Sequence, residues 1–309
     1  MTMTGAASPS LISAIVVHYG PWASTQRTLR CLRETAPQVP ILLVDNAGTA
    51  PPWGDREAPA GVRLLSAGRN LGYGAACNLA AREAGGDFLL FLNNDVEIRA
   101  GAAEAMAAVL AGEPRVAAVG PRLLDSRGRP VRSIFRAPTP RRVLFENLFL
   151  PRLFPGVPFF HGHHTAYASH RRARDVETLS GAAVLVRRKA FDEVGGFDEA
   201  FFFYAEESDL FLRLRRAGWS VRFEPAARAV HHGGVASAAL PREELDRRLH
   251  EGLRLYALRH HGRQGELWTA RALEWGARLR WALSFLEPGE RGRSRRRRYA
   301  DILRFSASR

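Results

Sequence analysis

Three apolar runs that each break off into polar residues limit this chain to few folds. Leu11-Ile12-Ser13-Ala14-Ile15-Val16-Val17 leads into His18-Tyr19, Ile41-Leu42-Leu43-Val44 into Asp45-Asn46, and Phe88-Leu89-Leu90-Phe91-Leu92 into Asn93-Asn94-Asp95. Near-continuous apolar character over five to seven residues marks strands buried on both faces, which need helices on either side. Helical patterns over 24–35 and 73–84 and a further strand over 62–65 complete the alternation. The prediction is an α/β fold of βα units around a mostly parallel sheet. Open sheets of this kind bind ligands outside the carboxyl ends of their strands, so the three polar endings are expected on one functional edge.

The pattern continues with a helix over 102–110 and a strand over 116–119, and then loosens. Residues 136–176 are rich in Pro, Arg, His and Phe without a sustained period, which predicts a long variable loop facing an acceptor. His161, His163, His164 and His170 lie in it with no carboxylate or cysteine at ligand spacing, so they are read as a polar loop rather than a metal cluster. Order returns as a strand over 179–186, helices over 188–194 and 209–217, and a short strand over 221–223 closed by Glu224-Pro225. A catalytic domain over 11–240 follows, preceded by a flexible start at 1–10 and followed by a helical extension over 241–309. Within that extension 243–260 and 266–286 are helical and Arg295 to Arg298 form a basic run.

The 309 residues carry a net charge of +14, and 17 Arg against 9 acidic residues put much of the excess beyond position 241. Such a balance suits a polyanionic partner, nucleic acid or an acidic membrane surface. Nucleic-acid recognition predicts basic and aromatic residues interleaved on one surface. Here the arginine run follows the last helix instead, and no nucleic-acid partner is expected. Trp268, Leu273, Trp275, Leu279, Trp281 and Leu286 alternate with Arg271, Arg278 and Arg280, a mixture suited to a membrane interface or, equally, to a helical or oligomer contact. No signal peptide or spanning segment is read. A cytoplasmic chain, peripheral on the inner face of the membrane, is expected, with Cys31 and Cys77 as buried free thiols.

The strand endings carry candidate chemistry. Asp45, with Asn46, can accept hydrogen bonds from a base or ribose, or simply cap the next turn. Arg69-Asn70-Leu71-Gly72-Tyr73-Gly74 opens a helix that contains Asn78, and its glycines with Arg69 suit an anion at a helix N-terminus. Its spacing matches neither the dinucleotide nor the P-loop fingerprint. Asn93-Asn94-Asp95 offers one carboxylate and amide oxygens, a hard set for Mg²⁺ or Mn²⁺ that a diphosphate would have to complete. Phe201 to Tyr204 run into Glu206, Glu207 and Asp209, where apolar walls and paired carboxylates raise proton affinity as a general base requires. His231-His232 offer an imidazole to a metal otherwise held by oxygen.

In this order the motifs resemble the family 2 glycosyltransferases of the GT-A fold, within them the rhamnosyltransferase-like branch that builds bacterial surface polysaccharide. The resemblance spans about 11–240. It rests on Val44-Asp45-Asn46, Arg69 to Gly74 with Asn78, Phe91 to Asp95, Ser180-Gly181-Ala182-Ala183, Val194 to Phe203, Glu206 to Leu210 with Arg213, and His231 before Gly233-Gly234. It implies a GT-A type, Rossmann-like sheet and inverting transfer of rhamnose or a related hexose from a dTDP- or UDP-sugar to a glycan or lipid-linked acceptor. It also implies that Asp45 contacts the base, that Asn46, Arg69, Asn70, Gly72, Asn78, Asn94, Asp95 and Gly181 form the donor site, and that Asp95 and His231 hold the metal. Glu207 stands at the position of the family's base, where the family has Asp, with Glu206 and then Asp209 as alternatives. Asn93 replaces the first Asp of the metal motif, so tight metal binding without donor is not expected. The same two departures prompt the alternative of an inactive nucleotide-sugar-binding module.

Overall fold

A computed structural model describes residues 12–54, 58–164, 171–234 and 240–307. The expected flexible start and His170 lie outside them. In chain order the elements begin β1 (Ile12–His18), α1 (Trp22–Thr35), β2 (Ile41–Asp45), β3 (Val62–Ser66), α2 (Tyr73–Glu83), β4 (Phe88–Asn93), β5 (Val96–Ile98) and α3 (Ala102–Gly112). They continue β6 (Val116–Leu124), β7 (Ile134–Phe135), α4 (Pro140–Asn147), α5 (Leu150–Leu153), β8 (Arg174–Asp175), β9 (Thr178–Leu179), β10 (Ala183–Arg187) and α6 (Arg188–Glu193). Last come α7 (Glu206–Arg216), β11 (Ser220–His231), α8 (Arg242–Leu283) and α9 (Gly289–Ala307). Two compact units result: Met1–Phe135, Tyr167–Phe202 and Glu207–Ala239 in one, Arg136–Ala166, Phe203–Glu206 and Leu240–Arg309 in the other.

The first unit holds a nine-stranded sheet in the order β3-β2-β1-β4-β10-β6-β11-β5, with β8 against β11. β3, β2, β1, β4, β6 and β11 run one way, with β10 antiparallel between β4 and β6. β1 and β2 are buried along their whole length, and the strand period of two sorts their side chains into two cores. Ala14, Val16, Ile41, Leu43, Leu90 and Leu92 meet α1 and α3 on one face. On the other, Ile15, Val17, Leu42, Val44, Leu89 and Phe91 meet α2, α6 and α7. The register sets His18 beside Asp45 and Val17 beside Asn93, so the three polar endings share one edge as expected.

Two strands differ from expectation. The apolar run over 179–186 splits into β9 and β10 around a turn that carries Gly181. β11 does not stop at Phe223 but passes Glu224-Pro225 through a bulge and runs on to His231. Proline has no N–H to donate and is tolerated where a bulge interrupts the ladder. Of the cysteines, Cys77 is buried, while Cys31 is half-exposed and donates its S–H to Ile98 O at 3.1 Å.

In the second unit, the segment expected as loop contains α4, started by Thr139, whose side chain accepts from Arg142 N, with Pro140 in its first turn. Val143 packs against Leu253, Ala272 and Leu273 of α8. α8 covers both expected C-terminal helices and breaks at Gly262, whose φ of 68° only glycine adopts without strain. The Arg295 to Arg298 run lies within α9, where Arg298 pairs with Asp246 at 2.5 Å. His250 is held down at about 4 by burial, assisted by Arg254, Arg280 and Arg298 and opposed by Asp246. Its unfolded value is 6.5, so between pH 6.5 and 4 only the unfolded chain takes up this proton and stability falls with pH. Urea unfolding at pH 7 and pH 4 should show a loss from this residue of about 3 kcal/mol, absent in His250→Gln.

Candidate functional site

The site is assembled at the carboxyl edge of the sheet in the first unit. Asp45, 9% exposed, ends β2, and its Oδ1 accepts from the backbone of Ala47 and Gly48, both at 3.0 Å. It therefore shapes the turn that follows, the simpler of the two roles open to it. Asn46 organises the next loop: its Oδ1 accepts from Leu71 N at 2.8 Å and its Nδ2 donates to Asn70 Oδ1 at 3.1 Å. Asn70 Oδ1 in turn accepts from Gly72 N at 3.0 Å. Gly72 has φ 85°, and a Cβ there would lie 2.3 Å from Phe202 O. Gly72→Ala should thus lower stability by roughly 2–3 kcal/mol in urea unfolding, from left-handed strain plus the clash. Arg69 is exposed at the start of this loop.

Asn78 and Asn94 serve as stitches. Asn78 bonds Phe197 N, Phe197 O and Glu199 Oε1, at 2.9, 2.9 and 3.0 Å, and so ties α2 to the loop ahead of α7. Asn94 Nδ2 donates to Tyr19 O at 3.0 Å and to Thr25 Oγ1 at 3.1 Å. The whole Asn78 amide and the Nδ2 group of Asn94 are thus committed to protein partners.

Asp95, 4% exposed, follows β4, and β5 leads directly from it into an antiparallel ladder with β11. That ladder sets His231 opposite Val96, with His231 Nε2 3.3 Å from Asp95 Oδ1. One carboxylate oxygen and one imidazole nitrogen fit a divalent ion of the Mn²⁺ or Mg²⁺ kind that takes its remaining ligands from a diphosphate and water. The neighbouring His232 faces elsewhere, with Nε2 2.6 Å from Glu97 Oε1 and Nδ1 2.9 Å from Ser126 Oγ.

The three candidate bases fall into different settings. Asp209, 1% exposed, is held by Arg213, whose Nε and Nη2 lie 2.8 and 2.6 Å from Oδ2 while Nη1 donates to Val194 O. A carboxylate fixed this way anchors α7. Glu206 is buried as the first residue of α7. Glu207 has its carboxyl pushed up by burial, against backbone hydrogen bonds from its own N–H and from Gly181. Burial thus leads the shift, where the sequence also suggested mutual repulsion of the pair. Gly181 O accepts from Tyr73 Oη at 3.2 Å, so the start of α2 and the Glu207 carboxylate meet at one residue.

Some features have no counterpart in the sequence reading. Tyr204 and Ala205 both have positive φ, 70° and 71°, directly before α7. Non-glycine residues held there cost on the order of 1–3 kcal/mol each and concentrate at functional sites. The backbone of Tyr204 lies flush on Gly252 of α8, where a Cβ would come 2.3 Å from Tyr204 O. His18 is buried at the end of β1, its Nδ1 2.7 Å from Thr25 Oγ1 and its ring stacked on Trp22 at 3.6 Å. Burial lowers its pKa against the pull of Asp45.

A mixed, mostly parallel sheet of this order, with polar residues gathered at its strand ends, is of the GT-A type. The profile of "Glycosyl transferase family 2" matches residues 13–195, and that of "Glycosyl transferase family group 2" matches 156–307. The chain is 32% identical over 289 residues to an N-acetylglucosaminyl-diphospho-decaprenol L-rhamnosyltransferase of Mycobacterium tuberculosis, covering 88% of this chain and 89% of that protein. It is 30% identical over 210 residues to the O-antigen biosynthesis protein RfbC of Myxococcus xanthus, covering 66% of this chain and 16% of that one. Among solved structures, the mannosyltransferase PcManGT of Pyrobaculum calidifontis, in complex with GDP-Man and Mn²⁺, aligns with TM-score 0.53 at 15% identity over 100% of this chain and 90% of its own. TarS of S. aureus, in complex with UDP-GlcNAc, aligns with TM-score 0.51 at 16% identity over 93% and 78%. The chain belongs to glycosyl transferase family 2.

Proposed function

We propose that this chain is an inverting, metal-dependent transferase that moves rhamnose or a related hexose from a dTDP- or UDP-sugar to a hydroxyl of a lipid-linked glycan in cell-surface polysaccharide synthesis. The observation that carries the reading is the 3.3 Å pair of Asp95 and His231 on the sheet edge that also holds Asp45. Asp45, Asn46 and the Arg69–Gly72 loop receive the nucleotide, with Arg69 available to its phosphates. A divalent ion, when bound, neutralises charge on the departing diphosphate. Glu207 takes the proton of the acceptor hydroxyl as its oxygen bonds to the anomeric carbon and the bond from that carbon to the phosphate oxygen breaks, which inverts the centre. Glu206 is the second choice for the base. The rhamnosyltransferase named above supports the sugar and the lipid-linked acceptor, and the Mn²⁺ of the mannosyltransferase complex supports the metal.

Among the described residues no helix is long and apolar enough to cross a membrane. Trp268, Trp275, Phe285 and Leu286 are nonetheless exposed on the second unit among arginines. This supports peripheral attachment to the anionic inner face of the membrane, where a lipid-linked acceptor resides. Incubation with a panel of nucleotide sugars, with Mn²⁺, Mg²⁺ or chelator, tests the function: metal-dependent donor hydrolysis or transfer is expected. Tight donor binding with no turnover for any sugar or acceptor would favour the inactive binding module.

A further inference from the structure

The second unit brings together ligands that the sequence keeps apart. Glu146, on the last turn of α4, meets His163 and His164, seventeen and eighteen positions on, and one ligand atom from each lies within 4.8 Å of the other two. No carboxylate lies at ligand spacing from these histidines in the sequence, and the fold supplies one from α4. Glu146 Oε2 is shut off from solvent and accepts no hydrogen bond among the described residues. Such an atom gives up its hydration without return. The chain runs close over it, and a Cβ built at Gly162 would lie 1.9 Å from Oε2. His163 is 9% exposed, its carbonyl accepts from Arg136 N at 3.0 Å, and its ring lies 4.1 Å from that of His164.

From this cluster we infer a second metal site, a Zn²⁺ clip that fastens residues 161–164 to α4 through His163, His164 and Glu146. Two imidazoles and a carboxylate are a zinc set, unlike the oxygen-rich set that Mg²⁺ or Ca²⁺ needs. Three atoms within 4.8 Å of one another have a point no more than about 2.8 Å from each, so an inward shift of at most about 0.7 Å per ligand reaches Zn–N and Zn–O distances of about 2.0–2.2 Å. The ligands line a cavity of about 230 Å³ with Arg152, His250 and Arg280, which leaves the fourth position to water or an anion. The ion takes up the carboxylate oxygen left without a hydrogen bond and cross-links α4 to a segment otherwise short of regular structure.

Untagged full-length protein, stripped with chelator and titrated with Co²⁺ and then Zn²⁺, provides the test. One equivalent of Co²⁺ should give the visible absorption of a four-coordinate site, Zn²⁺ should displace it and raise the unfolding midpoint, and X-ray absorption of the zinc form should count two imidazole nitrogens. Glu146→Gln and the double variant His163→Ala/His164→Ala should each lose the cobalt signal, while Asp95→Ala keeps it. The inference is overturned if the stripped protein takes up no Zn²⁺ at micromolar concentration, if the signal disappears in Asp95→Ala, or if the zinc form shows fewer than two imidazoles. The last measurement uses the unaltered chain, so it decides even where a variant fails to fold.

Discussion

Glu207→Gln should lower kcat by about 10²–10⁴-fold, the range a general base supplies, and at the same time raise the unfolding midpoint at pH 7. Burial pushes the Glu207 carboxyl up from 4.5, so the folded state resists ionisation. With a raised folded value, stability is fullest below pH 4.5 and declines as pH rises toward that value. Glutamine keeps the shape and has no proton to lose, so it removes the decline. The same shift makes Glu207 a stronger proton acceptor and should move the acid limb of the kcat/KM profile above the usual glutamate range. Steady-state kinetics and thermal unfolding across pH 4.5 to 8 check both halves. Full activity in Glu207→Gln would transfer the base to Glu206.

Asp95→Ala is expected to have the second large effect, a loss of about 10³-fold in kcat/KM, equivalent to about 4 kcal/mol, together with the loss of any stimulation by Mn²⁺. His231→Ala should cost less, about 10-fold, and be partly offset by higher Mn²⁺, because it leaves the charged ligand in place. Kinetics at several Mn²⁺ concentrations separate the two. Asp209→Asn should behave differently again: it breaks the buried pair with Arg213, so unfolding suffers more than the rate does in whatever remains folded.

The sheet was legible because β1, β2 and β4 are buried on both faces and therefore read as unbroken apolar runs. The GT-A signature was legible for a related reason, since its polar residues sit where those runs end. What escaped depended on partners distant in sequence. β5 has three residues, too few for a period, and exists only through its ladder with β11. β11 was cut short at Pro225 because a bulge cannot be told from a turn without the neighbouring strand. The hydrogen bonds of Asn78 and Asn94 were hidden because Phe197, Tyr19 and Thr25 lie far from them in sequence. The pairing of Asp209 is within reach of the sequence, because Arg213 lies four residues on, at helical ion-pair spacing. The Glu146 cluster was hidden for a different reason, as an eight-residue helix in a Pro- and Phe-rich segment leaves little periodic signal.

The central claim is that Asp95 and His231 make a metal site completed by the donor's diphosphate. Electron paramagnetic resonance of free Mn²⁺ measures this directly, with the protein alone and with UDP or dTDP added. The protein alone should leave most of the Mn²⁺ signal, nucleotide and protein together should remove it beyond what nucleotide alone removes, and Asp95→Ala should abolish that excess. Nucleotide binding of equal affinity with Mn²⁺ and with chelator, or an unchanged excess in Asp95→Ala, would contradict the account.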